Sequence, residues 1–96
     1  MIEQGYSVKK RAEILEAAKN IVCNDREGQY GSPEDNFALI SYLWCAYLGY
    51  NITEKDVAIM MCLLKIARIK TGKPKEDNWI DAIGYLACGA ELELTK

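Results

Sequence analysis

Lys65 and Arg68 stand three residues apart in one run of the chain, and Asp77 and Asp81 stand four apart in the next. On a helix either spacing puts both side chains on one face. Two carboxylates so placed are oxygen ligands for a hard cation such as magnesium, and two long cations beside them can clamp phosphate oxygens. In that chemistry Asp77 and Asp81 are the metal pair, water is the nucleophile, and Lys65, Arg68 and Arg26 stabilise phosphate charge. Tyr30, Tyr85 or Trp79 offers a ring that either stacks on a base or packs, and Asn78 offers an amide beside them. The same four charges also admit a purely architectural reading. Lys65 and Arg68 would then pair with Asp77 and Asp81 in an ionic network that fixes helix register and adds little net stability, because desolvation offsets most of the attraction.

The stretch that must carry the two cations is Val57 to Ile69, VAIMMCLLKIARI. From Val57 to Leu64 its only polar group is the thiol of Cys62, a pattern expected of a helix enclosed by protein and too short to cross a bilayer. Thr53-Glu54-Lys55-Asp56 supplies a capping-box start, and the helix is expected to stop near Thr71-Gly72, before Pro74. The acids belong to a last helix starting at Glu76 or Asp77. Its wheel gathers Trp79, Ile83, Leu86, Ala87 and Ala90 on one side, and Asp77, Asp81, Gly84, Tyr85 and Cys88 on the other. Acids set among small and aromatic residues suit a sheltered cleft better than open solvent. A connection of about seven residues makes these two helices antiparallel neighbours, so the cationic turn can meet the acidic one.

Two helices precede them. Ser7 can cap the first, which runs to about Cys23 with Ile14, Leu15, Ala18, Ile21 and Val22 in one stripe. Glu13 and Glu16 form an ExxE pair that points away from this stripe, so it is read as solvated surface before it is read as a metal site. A link rich in turn formers, 24–31, leads to Ser32-Pro33-Glu34-Asp35, a serine cap followed by proline at the first helical position. Because Glu34 and Asp35 already supply negative charge, phosphate binding at that helix end is disfavoured. The second helix should run from Pro33 to about Leu48, bury Phe37, Ile40, Leu43, Trp44 and Tyr47, turn Asn36 inward, and end at Gly49. Four helices on short connections predict a single all-α domain over residues 1–96, a four-helix antiparallel bundle.

Half of the 96 residues are hydrophobic, an excess that predicts closure against another copy, as a homodimer completing the bundle. Net charge is −2 with twelve scattered basic residues, which gives no footprint for DNA or RNA. Four cysteines without a CxxC, and no histidine, argue against zinc and against a disulfide framework. No segment reads as a signal core or a membrane span, so a cytoplasmic protein is the default.

Three spaced groups of residues carry a resemblance over about residues 11–91. They are Asp25-Arg26 with Tyr30-Gly31; Asp56-Val57-Ala58 leading to Leu64-Lys65-Ile66-Ala67-Arg68; and Asp77-Asn78 with Asp81 and Gly84-Tyr85. Together they resemble a family of small phage and prophage proteins whose domain is labelled as of unknown function. More weakly, the chain is similar to nucleotide-modification-associated domains and, at a distance, to MazG-like all-α nucleotide pyrophosphohydrolases. That last resemblance implies magnesium-dependent cleavage between the α- and β-phosphates of a nucleoside triphosphate by an oligomer of helical bundles. The MazG-like pattern has ExxE on one helix and ExxD on the next. Here Lys65 and Arg68 stand in the first pair of places, Asn78 and Asp81 in the second, and Glu16 or Asp25 of a second subunit could complete a reduced metal site. The expectation is thus a nucleotide- or phosphorylated-metabolite-handling protein, with a non-catalytic binding or interaction module as the alternative.

Overall fold

The structure, a computed structural model, describes residues 9–25 and 33–95, with side chains for 9–24 and 36–95. The expectations placed on Ser7, Arg26, Tyr30, Gly31 and Ser32, and on the side chain of Asp25, lie outside these residues. Within them the chain is all-α and has no strand. The helices are α1 (Lys10–Asn20), which continues into one wide π turn (Ile21–Asp25), α2 (Pro33–Leu48), α3 (Glu54–Thr71) and α4 (Glu76–Leu94).

The helix ends follow from local chemistry. Pro33 opens α2 with its fixed φ, and Gly49 closes it at φ 73°, where its N–H reaches the Cys45 carbonyl at 2.8 Å. In the tight turn that follows, the Ser41 hydroxyl donates to the Ile52 carbonyl at 2.6 Å and the Ile52 N–H donates to Cys45 Sγ at 3.0 Å. Thr53 and Asp56 form the expected capping box: Thr53 Oγ1 accepts from the Asp56 N–H at 3.1 Å, and Asp56 Oδ2 accepts from the Thr53 N–H at 3.0 Å. The Thr53 N–H that donates to the Asp56 carboxyl, together with the Thr53 hydroxyl beside it, holds that carboxyl below its ordinary value. Gly72 ends α3, and α4 starts at Glu76, so the connection is four residues, Gly72 to Lys75, shorter than the expected seven or so.

Packing is dominated by α3 against α4, with α2 on α3 and α1 on α4; α2 touches α4 along a smaller area. The α3–α4 pair is antiparallel, as its cross-contacts show: Lys55 meets Glu93, Ala58 lies against Gly89, and Lys65 meets Asp81. A methyl group on Gly89 would lie 3.0 Å from Ala58 Cβ, so the close approach of the two backbones needs a glycine there. The core is Phe37, Val57, Ala58, Cys88 and Leu92, with Ile40, Trp44, Met61 and Tyr85 packed around it. Extensive contact between α1 and α2, which would close a four-helix ring, is missing among the described residues.

Two expectations about burial are corrected. Within one chain α3 is enclosed only along Val57, Ala58 and Cys62, while Ile59, Met60, Leu63, Leu64 and Ile66 are exposed. On α4 the side holding Trp79, Leu86 and Ala90 faces outward, and the buried positions are Asn78, Ile80, Ala82, Gly84, Cys88, Gly89 and Leu92. The reason is steric. Helices approach closest where side chains are smallest, so Gly84 and Gly89 turn toward the neighbours of α4 and carry Ile80, Cys88 and Leu92 inward with them, which leaves Trp79 and Leu86 on the opposite side. On α2, Phe37 is buried as expected and Leu43 and Tyr47 are exposed. Cysteines 62 and 88 are buried, Cys23 is exposed and Cys45 is half-buried, all as free thiols. Desolvation pushes the Cys62 thiol up from its ordinary value.

Candidate functional site

The cationic turn of α3 does meet the acidic turn of α4, through one pair. Lys65 Nζ lies 3.0 Å from Asp81 Oδ2, and the two side chains are 15% and 18% exposed. By contrast Lys10–Glu76 and Lys55–Glu93 are surface pairs. Sheltering matters because attraction between charges grows as water is excluded, and so does the cost of leaving either charge alone. Asp81 also makes a further polar or electrostatic contact, so Lys65 is not its sole partner.

Beside this pair is a cavity of about 150 Å³ between the π turn after α1, α2 and α4. Asp81, Tyr85 and Asn36 are the residues with strongly polar side chains in its lining, and Val22, Phe37 and Met61 are among the apolar ones. Tyr85 and Phe37 present their rings at a 38° tilt with centroids 6.2 Å apart. Gly84 sets how near α1 can come: a methyl there would lie 2.9 Å from Val22 Cγ1. The wide turn after α1 brings Ile21 and Val22 to the same cavity.

Of the residues singled out from sequence, Lys65, Asp81 and Tyr85 come together at this place. Gly84 and Cys88, expected on the same sheltered side of α4, line the cavity with Asp81 and Tyr85, and Lys65 reaches it through its pairing with Asp81. Arg68 and Asp77 do not join it. Both are exposed, and neither has an ion pair among the described residues. Asn78 is buried at 9% exposure and is not part of the cavity wall. Asn36, expected on the inward face of α2, is exposed and lines the cavity. Glu13 and Glu16 are solvated, and Glu13 takes a salt bridge from Lys10 at 3.4 Å. Sequence reasoning did not place Ile21, Val22 or Ile80 at this cavity. The stripe of α1 named the first two as apolar, but nothing in the residue types announces the wide turn that redirects them.

The donor set fits magnesium poorly. No three His, Cys, Asp or Glu side chains stand together among the described residues. Asp81 is already matched by Lys65, and Asp77 lies outside the cavity. An ion between these carboxylates would have to displace Lys65 and take its remaining oxygens from water and substrate phosphate.

Comparison with known proteins places the chain in a family. The family described as DUF6378, a domain of unknown function, matches residues 13–93, and the chain belongs to it. Among relatives, the Gene 55 protein of Mycobacterium phage D29 is 40% identical over 75 residues, covering 78% of this chain and 50% of the relative. The Gene 55 protein of Mycobacterium phage L5 is 38% identical over 84 residues, covering 86% of this chain and 54% of the relative. The chain therefore spans about half the length of these curated relatives. No solved structure matches it. The phage association expected from the three groups of residues holds in this form. Among the described residues, no helix is long and apolar enough to cross a membrane.

Proposed function

We propose that this protein handles a nucleotide or a similar phosphorylated small molecule, and that the cavity between α1, α2 and α4 receives its ring. The observation that carries the reading is the sheltered Lys65–Asp81 pair beside an otherwise largely apolar cavity that Asp81 and Tyr85 line. An apolar cavity of this volume accommodates a single six-membered ring. Ligand sites combine such apolar walls with a few fixed polar groups that set orientation. Asp81 and Asn36 can hydrogen-bond a heterocycle's edge while Tyr85 packs on its face, and Arg68, exposed on α3, is available to phosphate.

Pyrophosphate-releasing hydrolysis, with magnesium on Asp77 and Asp81, is the finer form of this reading. It requires Lys65 to exchange Asp81 for a phosphate oxygen, and Arg26 would be a further cation for the phosphates. Tyr30 would be an additional ligand contact, whereas Asn78, buried away from the cavity wall, would support α4 from behind. A second reading is favoured by the match of Lys65 to Asp81 and the lack of a third acid beside them. In it the pair fixes the register of α3 on α4 in a non-catalytic interaction module.

A thermal-shift and phosphate-release assay separates the readings. Nucleoside mono-, di- and triphosphates are titrated with and without magnesium into the wild type and Gly84→Ala, whose added methyl narrows the cavity. Ligand binding raises the melting temperature in proportion to ligand excess, and the methyl group should remove that rise. If no nucleotide shifts the wild-type melting temperature and no phosphate appears, the nucleotide reading fails. A shift without phosphate release rejects only the hydrolytic form.

A further inference from the structure

The outward face of α3 bears a pattern that the cavity does not explain. Asp56, Leu63 and Lys70 are spaced by seven residues, which is close to two helical turns, so they lie along one line of the helix. Ile59 and Ile66 flank that line on one side, and Met60 and Ala67 flank it on the other. Ile59, Met60, Leu63 and Ile66 are 42%, 39%, 55% and 48% exposed. None of the neighbouring helices covers this line. Val57 and Met61 pack in the cluster with Phe37 and Trp44 of α2, while Ala58 and Lys65 meet α4. The apolar surface continues from Ile59 into a shallow groove with Leu86, Ala90 and Leu94 of α4.

We infer that this line is a two-fold interface on which α3 of a second copy of the chain lies antiparallel. The charge pattern selects the occupant. An acid at one end, a base at the other and a leucine midway form a surface that complements itself when rotated by half a turn about Leu63. Asp56 of each copy then meets Lys70 of the other, at both ends of the contact. Leu63 packs on its own counterpart, Ile59 faces Ala67, and Met60 faces Ile66. A parallel pairing would instead set like charges together at each end. A shallow crossing of about 20° keeps residues one heptad from the axis within side-chain reach. The capping box does not obstruct this pairing. It occupies Asp56 Oδ2 with a single backbone N–H, and a carboxylate has room to accept a second bond from a lysine. Burial of this line supplies the enclosure that the composition of α3 calls for and that one chain leaves half done.

The test is sedimentation equilibrium of the full chain, with helicity followed by circular dichroism. The wild type should give twice the 10.8 kDa chain mass. Leu63→Glu, at a position exposed in the single chain, should leave helicity intact and give the monomer mass. Lys70→Glu should weaken association by about tenfold or more, because it sets two acids together at each end. Adding Asp56→Lys to Lys70→Glu should restore association to within about threefold of wild type, since the opposite charges are then exchanged. A wild type that stays monomeric at about 100 µM overturns the proposal, as does a dimer that Leu63→Glu leaves intact. Failure of the charge exchange to restore a folded, helical double variant overturns the antiparallel register. None of these readouts involves a nucleotide, so the result is independent of the cavity's role.

Discussion

Two lysines of α3 each reach an acid of α4 at nearly the same distance, Lys55 to Glu93 at 3.1 Å and Lys65 to Asp81 at 3.0 Å. The first pair is 48% and 57% exposed, the second 15% and 18%. Similar geometry therefore carries different physical weight. Water screens the outer pair, so its attraction and the loss on breaking it are both small. Partial burial of the inner pair makes each partner depend on the other, and Asp81 of the pair also lines the adjoining cavity. Distance alone identifies neither a site nor a stabilising contact; the surroundings decide.

The strongest way to break the contrast is to remove what shelters the inner pair. Phe37, 4% exposed, belongs to both the core and the cavity wall, and Phe37→Ala should cost about 3–5 kcal/mol in urea unfolding. A loss below about 1 kcal/mol would mean that α2 does not cover the cavity in solution. Next is Asp81→Ala, which leaves Lys65 sheltered without its partner and should cost about 1–3 kcal/mol. The double change Lys65→Met with Asp81→Leu should return to within about 1 kcal/mol of wild type, as expected when an ion pair is exchanged for apolar packing. A double variant no better than the single one shows that the further partner of Asp81, and not stranded Lys65, accounts for the loss.

The turn that carries Lys55 also carries the capping box, so Thr53→Ala sharpens the comparison by separating a lost cap from a lost ion pair. It should cost about 1 kcal/mol. It should also alter the acid limb of stability: the folded Asp56 carboxyl titrates below its unfolded value, so its contribution is present above about pH 3.9 and is lost as pH falls through the folded value. Stability measured from pH 6 to pH 2 should therefore fall less steeply in Thr53→Ala than in wild type. The smallest effect is expected at the outer pair. Glu93→Gln should change stability by no more than about 0.5 kcal/mol, and raising the salt concentration should erase the difference.

Much of this arrangement was legible in the residues. The Thr53–Asp56 box, Pro33 and Gly49 mark helix ends through local bonds and backbone preferences that hardly depend on the rest of the fold. The cleft side of α4 was legible because Asp81, Gly84, Tyr85 and Cys88 make little sense as solvent-facing neighbours. Lys65 meeting Asp81 followed from a short connection between antiparallel helices. The outward turn of Trp79 and Leu86 was not legible. A helical wheel ranks side chains by polarity, whereas helix contact also selects for smallness, and here Ala82, Gly84 and Gly89 win the interior. Nor could spacing separate Lys65 from Arg68 or Asp81 from Asp77, since facing across a helix pair depends on a register that neither helix specifies alone. The wide turn at Ile21–Asp25 had no signal in the residue types at all.

Gly84 has a consequence of another kind. Because bare backbone, and no side chain, is what Val22 rests on, the end of α1 is seated one residue from Tyr85 and three from Asp81. A single added carbon there would push on the α1 terminus and shrink the adjoining hollow together, so position 84 works as a gauge that sets how much room is left for a guest.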